Sequence, residues 1–445
     1  MSEPGADHQL AAQSPFRRVM GNMGHLLSGK AIAGITSLIY LAMVTRILGV
    51  SDYGTLNLVH AYVTFFGTLL ALSGFHGIVR FGARSLQASN YHDFWGLVRL
   101  LAMIELGMAA LAISCAILLS PWAADLLKLN GTAAQFVPLY AFAVLATVRT
   151  TPQGLLQLAN RFDLIGIQQA VMPVARLIGV AMLWWFGAGL AGFLWVWLVA
   201  ALLEGLSMWI MAYVVARQKG WISSAPSAAR AIYGDNAGLI RFVGITNVDL
   251  TLRDLAPKAT PLIIGWMLGP VATGLFVLAQ RASAVLVQPA QMLSQASYSV
   301  IAKLAVEGQY EQAHKTVRKS ILTVAMAAAA VAILFLVFSE QILKLLGGAE
   351  FAIAGDLLIM IGFASAILTA APTLSAALTA FGFPDRSATI NLFCNLGMLP
   401  ILVLCLWKLG VNGAGIHALL QSSLFVLLLG LSYRRVYGKF ATYAA

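Results

Sequence analysis

Long apolar runs separated by short polar stretches recur along the whole chain. About 20 apolar residues are needed for a helix to cross a hydrocarbon layer, and on that measure the pattern predicts twelve spans: 24–46, 54–79, 97–119, 133–151, 165–186, 190–215, 243–268, 271–298, 319–339, 352–380, 387–407 and 412–433. Lipid gives backbone N–H and C=O groups no partner, so such runs must be helices or closed-barrel strands, and these are too long and too apolar for strands. An even number of spans returns both termini to one side. A polar, charged stretch from Arg217 to about Ile240, with "SSAPSAAR" inside it, divides the spans into two sets of six. The expected organisation is an N-terminal cytoplasmic segment over 1–23, a six-helix bundle over 24–216, a cytoplasmic linker over 217–240, a second six-helix bundle over 241–433 and a cytoplasmic tail over 434–445.

The two sets share landmarks. "LGVSDYG" (Leu48 to Gly54) follows span one and "LGPVATG" (Leu268 to Gly274) follows span seven, both reading L-G-x4-G at an offset of 220 residues. The same offset carries Pro152 onto Pro372 and Arg99 onto Lys319, and Gly187 and Gly192 correspond to Gly410 and Gly415 at an offset of 223. Landmarks in one order point to a duplicated six-helix unit. Because six is even, both copies share one membrane orientation, as in transporters built from parallel repeats with a site between the halves.

Composition agrees: 60% of the 445 residues are hydrophobic and 10% charged, against about 25% charged in a soluble domain. The formal net charge of +11 raises the question of nucleic acid, and its placement answers it. Of the 28 Lys and Arg residues, nineteen lie in or beside segments on the N-terminal side, four (Arg46, Lys128, Lys344, Lys408) on the opposite side, and five within spans. This asymmetry places both termini in the cytoplasm and makes most of the positive charge a matter of topology. The 23 polar residues ahead of span one do not resemble a cleaved signal peptide. The seven histidines are scattered, Cys115, Cys394 and Cys405 all fall in spans, and no metal-ligand spacing, phosphate-binding glycine loop or nucleophile elbow occurs. Neither a cofactor, a metal nor catalysis is expected.

Charges at membrane depth are the candidate chemistry, because each costs at least about 2.5–3.5 kcal/mol at the bilayer centre. At 1.5 Å per residue, Lys258 lies about 16 Å from the turn at Gly269 and Arg281 about 18 Å; Arg176 is central in span five, and Lys30 lies in span one. "DLTLRDLAPK" at the start of span seven adds Asp249, Arg253 and Asp254. Asp249 with Arg253 and Asp254 with Lys258 are i,i+4 pairs that could neutralise one another, and Pro257 and Pro261 suit either a cavity-lining break or a structural kink. In span eight Arg281, Gln288, Gln291, Gln295 and Ser299 share one helical face, either a wet lining or a set of interhelical hydrogen bonds. Glu105 in span three and Glu204 in span six are buried acids suited to exchanging a proton, holding a cation or serving as counter-ions of Arg176 or Lys30.

The quoted residues also carry a resemblance. "TRILGVSDYGTLNLV" (Thr45 to Val59), "VRFGAR" (Val79 to Arg84), "WMLGPVATGLFVLAQR" (Trp266 to Arg281) and "AFGFPDRSATINL" (Ala380 to Leu392) are similar to the polysaccharide transporter branch of the multidrug, oligosaccharidyl-lipid and polysaccharide exporter (MOP) superfamily, the Wzx-type O-antigen and capsule flippases. The resemblance implies an all-α integral membrane protein of the MATE-like fold, about twelve helices in two six-helix bundles. It further implies transport of an undecaprenyl-pyrophosphate-linked oligosaccharide across the bacterial inner membrane, by alternating access through a cationic central cavity driven by an ion gradient. On that reading Lys258, Arg281, Arg176, Arg253 and Lys30 hold phosphates, Gln288, Gln291 and Gln295 serve the sugar, and Asp254, Glu105, Glu204 and Asp249 are the ion-coupling candidates. The partners expected are the lipid-linked sugar, membrane lipid, H+ or Na+, and glycan polymerase or assembly proteins. Two alternatives stand beside it: a MATE-like drug or metabolite exporter, whose cavity should be acidic to favour cations, and a non-catalytic subunit of a glycan polymerisation complex.

Overall fold

The computed structural model describes residues 15–222 and 238–444, with the side chains at 15–29, 31, 249, 253, 285–297, 299, 306 and 441–444 outside the described set. The described residues are predominantly helical, with no strand among them. Nine helices among them are long and apolar enough to cross a membrane. One stretch, Ile32–Leu69, holds the first two predicted spans; spans seven and eight form the further helices Leu239–Leu268 and Pro270–Val306. Span seven is too rich in charge to count among the nine, with Arg253, Asp254 and Lys258 inside it, yet it is one helix from end to end. Pro257 and Pro261 do not interrupt it.

The expected loop between spans one and two is instead a turn at a single residue. Helix Pro15–Leu69 reverses at Gly49, whose backbone (φ 69, ψ −178) is the non-helical point inside it. Gly269, its counterpart in the second repeat, has nearly the same conformation (φ 85, ψ −173) ahead of helix Pro270–Val306. Only glycine occupies that region without strain, so the first glycine of each L-G-x4-G motif is fixed by the turn.

Four spans read as continuous from their apolar runs are broken, span eleven among them, as Pro384–Asn395 and Leu399–Leu409. Span two is unwound over 70–74 and resumes as the turn Phe75–Gly77 and the π turn Ile78–Gly82. Span four runs as Thr132–Tyr140, then a 3-10 segment Ala141–Thr147, and restarts as Thr150–Leu158. Pro152 explains the second break: a proline ring collides with the carbonyl four residues earlier, here Val148, where the backbone leaves the helix. Span ten repeats the device, with Gly355–Leu368 ending four residues before Pro372 and Ala371–Ala380 beginning anew.

The chain packs as two compact units. The first comprises Met1–Met43, Phe66–Ser120 and Gln135–Thr251, the second Val44–Phe65, Pro121–Ala134 and Leu252–Ala445. A core of Ile78, Leu97, Leu101, Leu155, Met208 and Val243 holds the first together. On its surface Trp184, Trp185 and Phe186 are 66%, 81% and 80% exposed at the end of span five, just before the left-handed Gly187.

The second unit has its own core around Ile301, Val317, Leu378 and Leu429. Within it the second glycines of the two motifs meet. A Cβ on Gly54 would fall on the Pro270 carbonyl oxygen and 3.0 Å from the Gly274 nitrogen, and one on Gly274 would lie 2.5 Å from the Val50 carbonyl oxygen and 3.2 Å from the Gly54 nitrogen. The contact is reciprocal under the 220-residue offset, which also relates Val50 to Pro270. Around it Thr45 Oγ1 and Arg46 Nη2 donate to the carbonyls of Leu346 (2.6 Å) and Leu345 (2.8 Å), and the Val50 N–H donates to Glu350 Oε2 (3.3 Å). A cation at a helix C-terminus and a carboxylate at a helix N-terminus both favour the helix dipole.

Candidate functional site

In the first unit Arg176 projects from span five, Phe162–Phe186, and is 3% exposed. Its guanidinium stacks 4.6 Å from the centre of the Trp197 ring and 6.0 Å from that of Tyr40, and Nη1 donates to the Tyr40 hydroxyl at 3.4 Å. Nε and Nη2 are buried and have no hydrogen-bond acceptor among the described residues. No carboxylate lies within ion-pair distance of it among the described residues. Arginine keeps its charge when buried, and two aromatic faces compensate only part of the lost hydration. The arrangement is a held cation with two N–H groups available to an anion. Lys30, on span one of the same unit, is half-buried.

The two acids read as counter-ions for Arg176 or Lys30 have other partners. Glu204 of span six forms an ion pair with Arg149 at the break in span four. Beside it Gln168 Nε2 donates to the Glu204 carbonyl at 3.1 Å, and Trp209 Nε1 donates to the carbonyl of Val148 at 2.6 Å, so the backbone freed by Pro152 is satisfied. Arg149, which the charge pattern alone assigns to topology, is therefore part of this site. Replacing it with Met should leave a largely buried carboxylate unpaired and cost about 1–2 kcal/mol, the pair being partly solvent-screened. Thermal unfolding of the purified chain checks this, with Arg149→Met/Glu204→Met expected to recover stability.

Glu105 of span three is 3% exposed, and its Oε1 accepts four donors. These are the Gly74 N–H (2.8 Å) from unwound span two and, from the restart of span four, the Thr151 N–H (3.0 Å) and the hydroxyls of Thr150 (2.5 Å) and Thr151 (2.7 Å). Oε2 is buried without a partner. Next to Gly74, Ser73 exchanges two hydrogen bonds with Asn247 of span seven: its N–H donates to Oδ1 at 2.5 Å and its carbonyl accepts from Nδ2 at 3.1 Å. The unwound turn is thus supplied with side-chain partners in place of the helical ones it forgoes.

In the second unit Arg281 is half-buried on helix Pro270–Val306, and its Nη2 donates to Asn57 Oδ1 at 3.2 Å. Asn57 is buried and donates in turn to the Tyr53 carbonyl at 2.7 Å, which fixes the amide that orients the guanidinium. Lys258 is half-buried and Asp254 exposed on helix Leu239–Leu268. The side chains of Asp249, Arg253, Gln288, Gln291 and Gln295 lie outside the described residues. Arg176, Glu105 and Glu204 occupy three distinct settings in the first unit. Asn57, Asn247, Arg149, Thr150 and Thr151 are participants that the sequence pattern does not single out, although "TTP" at 150–152 carries a helix-break signal.

Residues 19–305 match the family model described as "Polysaccharide biosynthesis protein", and residues 258–404 match that described as MatE. The inner membrane protein YghQ of Escherichia coli (strain K12) is 25% identical over 297 residues, 66% of this chain and 82% of that protein. Among solved structures, the lipid II flippase MurJ in an inward closed conformation aligns with a TM-score of 0.72 at 10% identity, over 93% of this chain and 89% of that one. An inward-facing multidrug resistance MATE family transporter of the MOP superfamily aligns with a TM-score of 0.69 at 14% identity, over 94% and 95% of the two chains. The structural likenesses bear on the fold, the family match on descent: the chain is a multi-pass membrane protein and belongs to the family described as "Polysaccharide biosynthesis protein".

Proposed function

We propose that the protein is an inner-membrane flippase carrying an undecaprenyl-pyrophosphate-linked oligosaccharide, the repeat unit of an O-antigen, capsule or exopolysaccharide, from the cytoplasmic to the periplasmic leaflet. It works by alternating access, driven by a proton or sodium gradient, with both termini in the cytoplasm. The observation that carries the reading is Arg176, a buried guanidinium with two N–H groups lacking acceptors among the described residues. A pyrophosphate brings the acceptors it lacks and the charge it needs, through hydrogen bonds strengthened by both ionised partners.

Lys258, Arg281, Arg253 and Lys30 serve the same anion along its path, and Gln288, Gln291 and Gln295 the sugar hydroxyls. Of the ion-coupling candidates Asp254, Glu105, Glu204 and Asp249, Glu204 is neutralised by Arg149, which favours Glu105.

A second reading, a drug or metabolite exporter, is supported by the MatE match over 258–404. The lipid-linked intermediate of a deletion strain separates the two. A flippase deletion accumulates a complete lipid-linked repeat unit in the cytoplasmic leaflet, and Arg176→Gln, with normal membrane levels, restores about a tenth or less of the surface glycan, one charge-assisted bond being worth about 1.5–3 kcal/mol. Unchanged lipid intermediates together with heightened sensitivity to organic cations would select the exporter.

A further inference from the structure

Two helix breaks in the first unit converge on the carboxylate of Glu105, and the duplication separates them: the break in span two has no counterpart in helix Pro270–Val306, whereas the break in span four has one. Span ten breaks at the equivalent place, next to Pro372, while the 220-residue offset carries Glu105 onto Ala325. There Thr369 Oγ1 donates back to the Ala366 carbonyl at 2.6 Å, and no acid among the described residues takes part. Proline suffices for the break. The acid in span three adds something else.

Its surroundings define what it binds. Oε1 accepts four donors, one from unwound span two and three from the restart of span four, and hydrogen bonds donated to a carboxylate favour its ionised form. Oε2, buried and unpartnered, is where a proton is received. The charged and titratable groups on the packed elements are His76 and Arg80 of span two, Arg149 of span four, Glu204 of span six, Arg241 of span seven and, on its own helix, Arg99 and the His92–Asp93 pair of the first turn. Arg149 is engaged by Glu204, and none of them forms an ion pair with Glu105. Neutralising this carboxylate therefore falls to a small cation from water. The four groups around Oε1 all present hydrogens rather than lone pairs, which suits a proton and not a metal ion.

We propose that Glu105 is a proton-binding site controlling a hinge in span two: the carboxylate pins Gly74 to Thr150 and Thr151, and protonation releases the pin. One proton passes from hydronium to Oε2, the side chain goes from −1 to neutral, and the hydrogen bonds to Oε1 lose the charge that strengthens them. Gly74 is then held by the Thr150 hydroxyl (2.9 Å) and Ser73 by Asn247, neutral hydrogen bonds without the carboxylate's charge, and the turn is freer to rewind or swing. The inference rests on the transport reading only for its place in the cycle, because the pin is measured without substrate, and its failure leaves the cargo assignment standing.

The test uses the full chain reconstituted in lipid vesicles and two readouts. In pH-difference infrared spectra the wild type should show a protonated-carboxyl band that Glu105→Gln lacks. Amide exchange at Ser73 and Gly74, scaled at each pH to the intrinsic rate, should accelerate by about tenfold or more as the pH falls, about 1.4 kcal/mol per tenfold, and be fast at every pH in Glu105→Gln. Thr151→Val, which removes one hydroxyl donor at constant shape, should move the exchange profile to higher pH, and it keeps the proposal open to refutation should Glu105→Gln misfold. The same pH profile in either variant as in wild type, or a hinge that responds to sodium at constant pH and not to protons, would overturn it.

Discussion

Exchanging Lys258 and Arg281 together for Gln is expected to abolish surface glycan while the protein still reaches the membrane in normal amount. Both positions lie about 16–18 Å from the turn at Gly269 by helical rise, on helices Leu239–Leu268 and Pro270–Val306. Glutamine keeps most of the length and a donor but removes the charge. Each charge-assisted bond to a phosphate contributes about 1.5–3 kcal/mol, so losing two raises the barrier by about 3–6 kcal/mol and slows transfer by roughly a hundredfold to ten-thousandfold. Arg281 also donates to Asn57, an uncharged partner, which places that contact in orienting the guanidinium rather than neutralising it. Arg281→Lys, keeping the charge without the fork, should therefore fall between wild type and the double variant. Glycan blots normalised to immunodetected membrane protein give the answer. Wild-type glycan from the double variant would refute the phosphate role of both residues.

The second large effect is on the fold. Gly54→Ala is expected to destabilise the second unit by about 3 kcal/mol or more, since overpacking against backbone leaves no side chain to yield. The added methyl falls on the Pro270 carbonyl oxygen, and Gly274→Ala does the same to Val50. The two substitutions strain one shared contact, so the double variant should lose less than the sum of the singles. Gly430→Ala, at a glycine with open space around it, is the matched control. Thermal unfolding of the three variants in detergent, followed by loss of the monodisperse peak, measures the order. A Gly54→Ala protein as stable as wild type would show that the helices separate at this point in solution.

The fold was legible because its signal is long-range along the chain and local in chemistry: apolar runs set the spans, and the L-G-x4-G pair with the Pro152–Pro372 match set the duplication. Gly49 and Gly269 sharing one backbone conformation is the structural counterpart of that match. The breaks were harder to see. Pro152 and Pro372 mark theirs, but the unwound residues 70–74 contain no proline, and their irregular backbone depends on Asn247 and Glu105 reaching in from other spans. Of the site, charge at depth singled out Arg176 and Glu105 as residues that need an explanation. It left open which partner each would take, because an acid at position 105 meets hydroxyls at 150 and 151 only after three spans have packed. Arg149 illustrates the limit: a basic residue at a span end satisfies the positive-inside rule whether or not an acid such as Glu204 lies across from it.

Trp184, Trp185 and Phe186 crowd the last turn of span five, and the chain reverses immediately at Gly187 into the helix beginning at Leu190. Indole rings settle at the level of the lipid headgroups, so this hairpin tip is moored to one surface of the bilayer. A transporter moored in this way has little freedom to bob along the membrane normal.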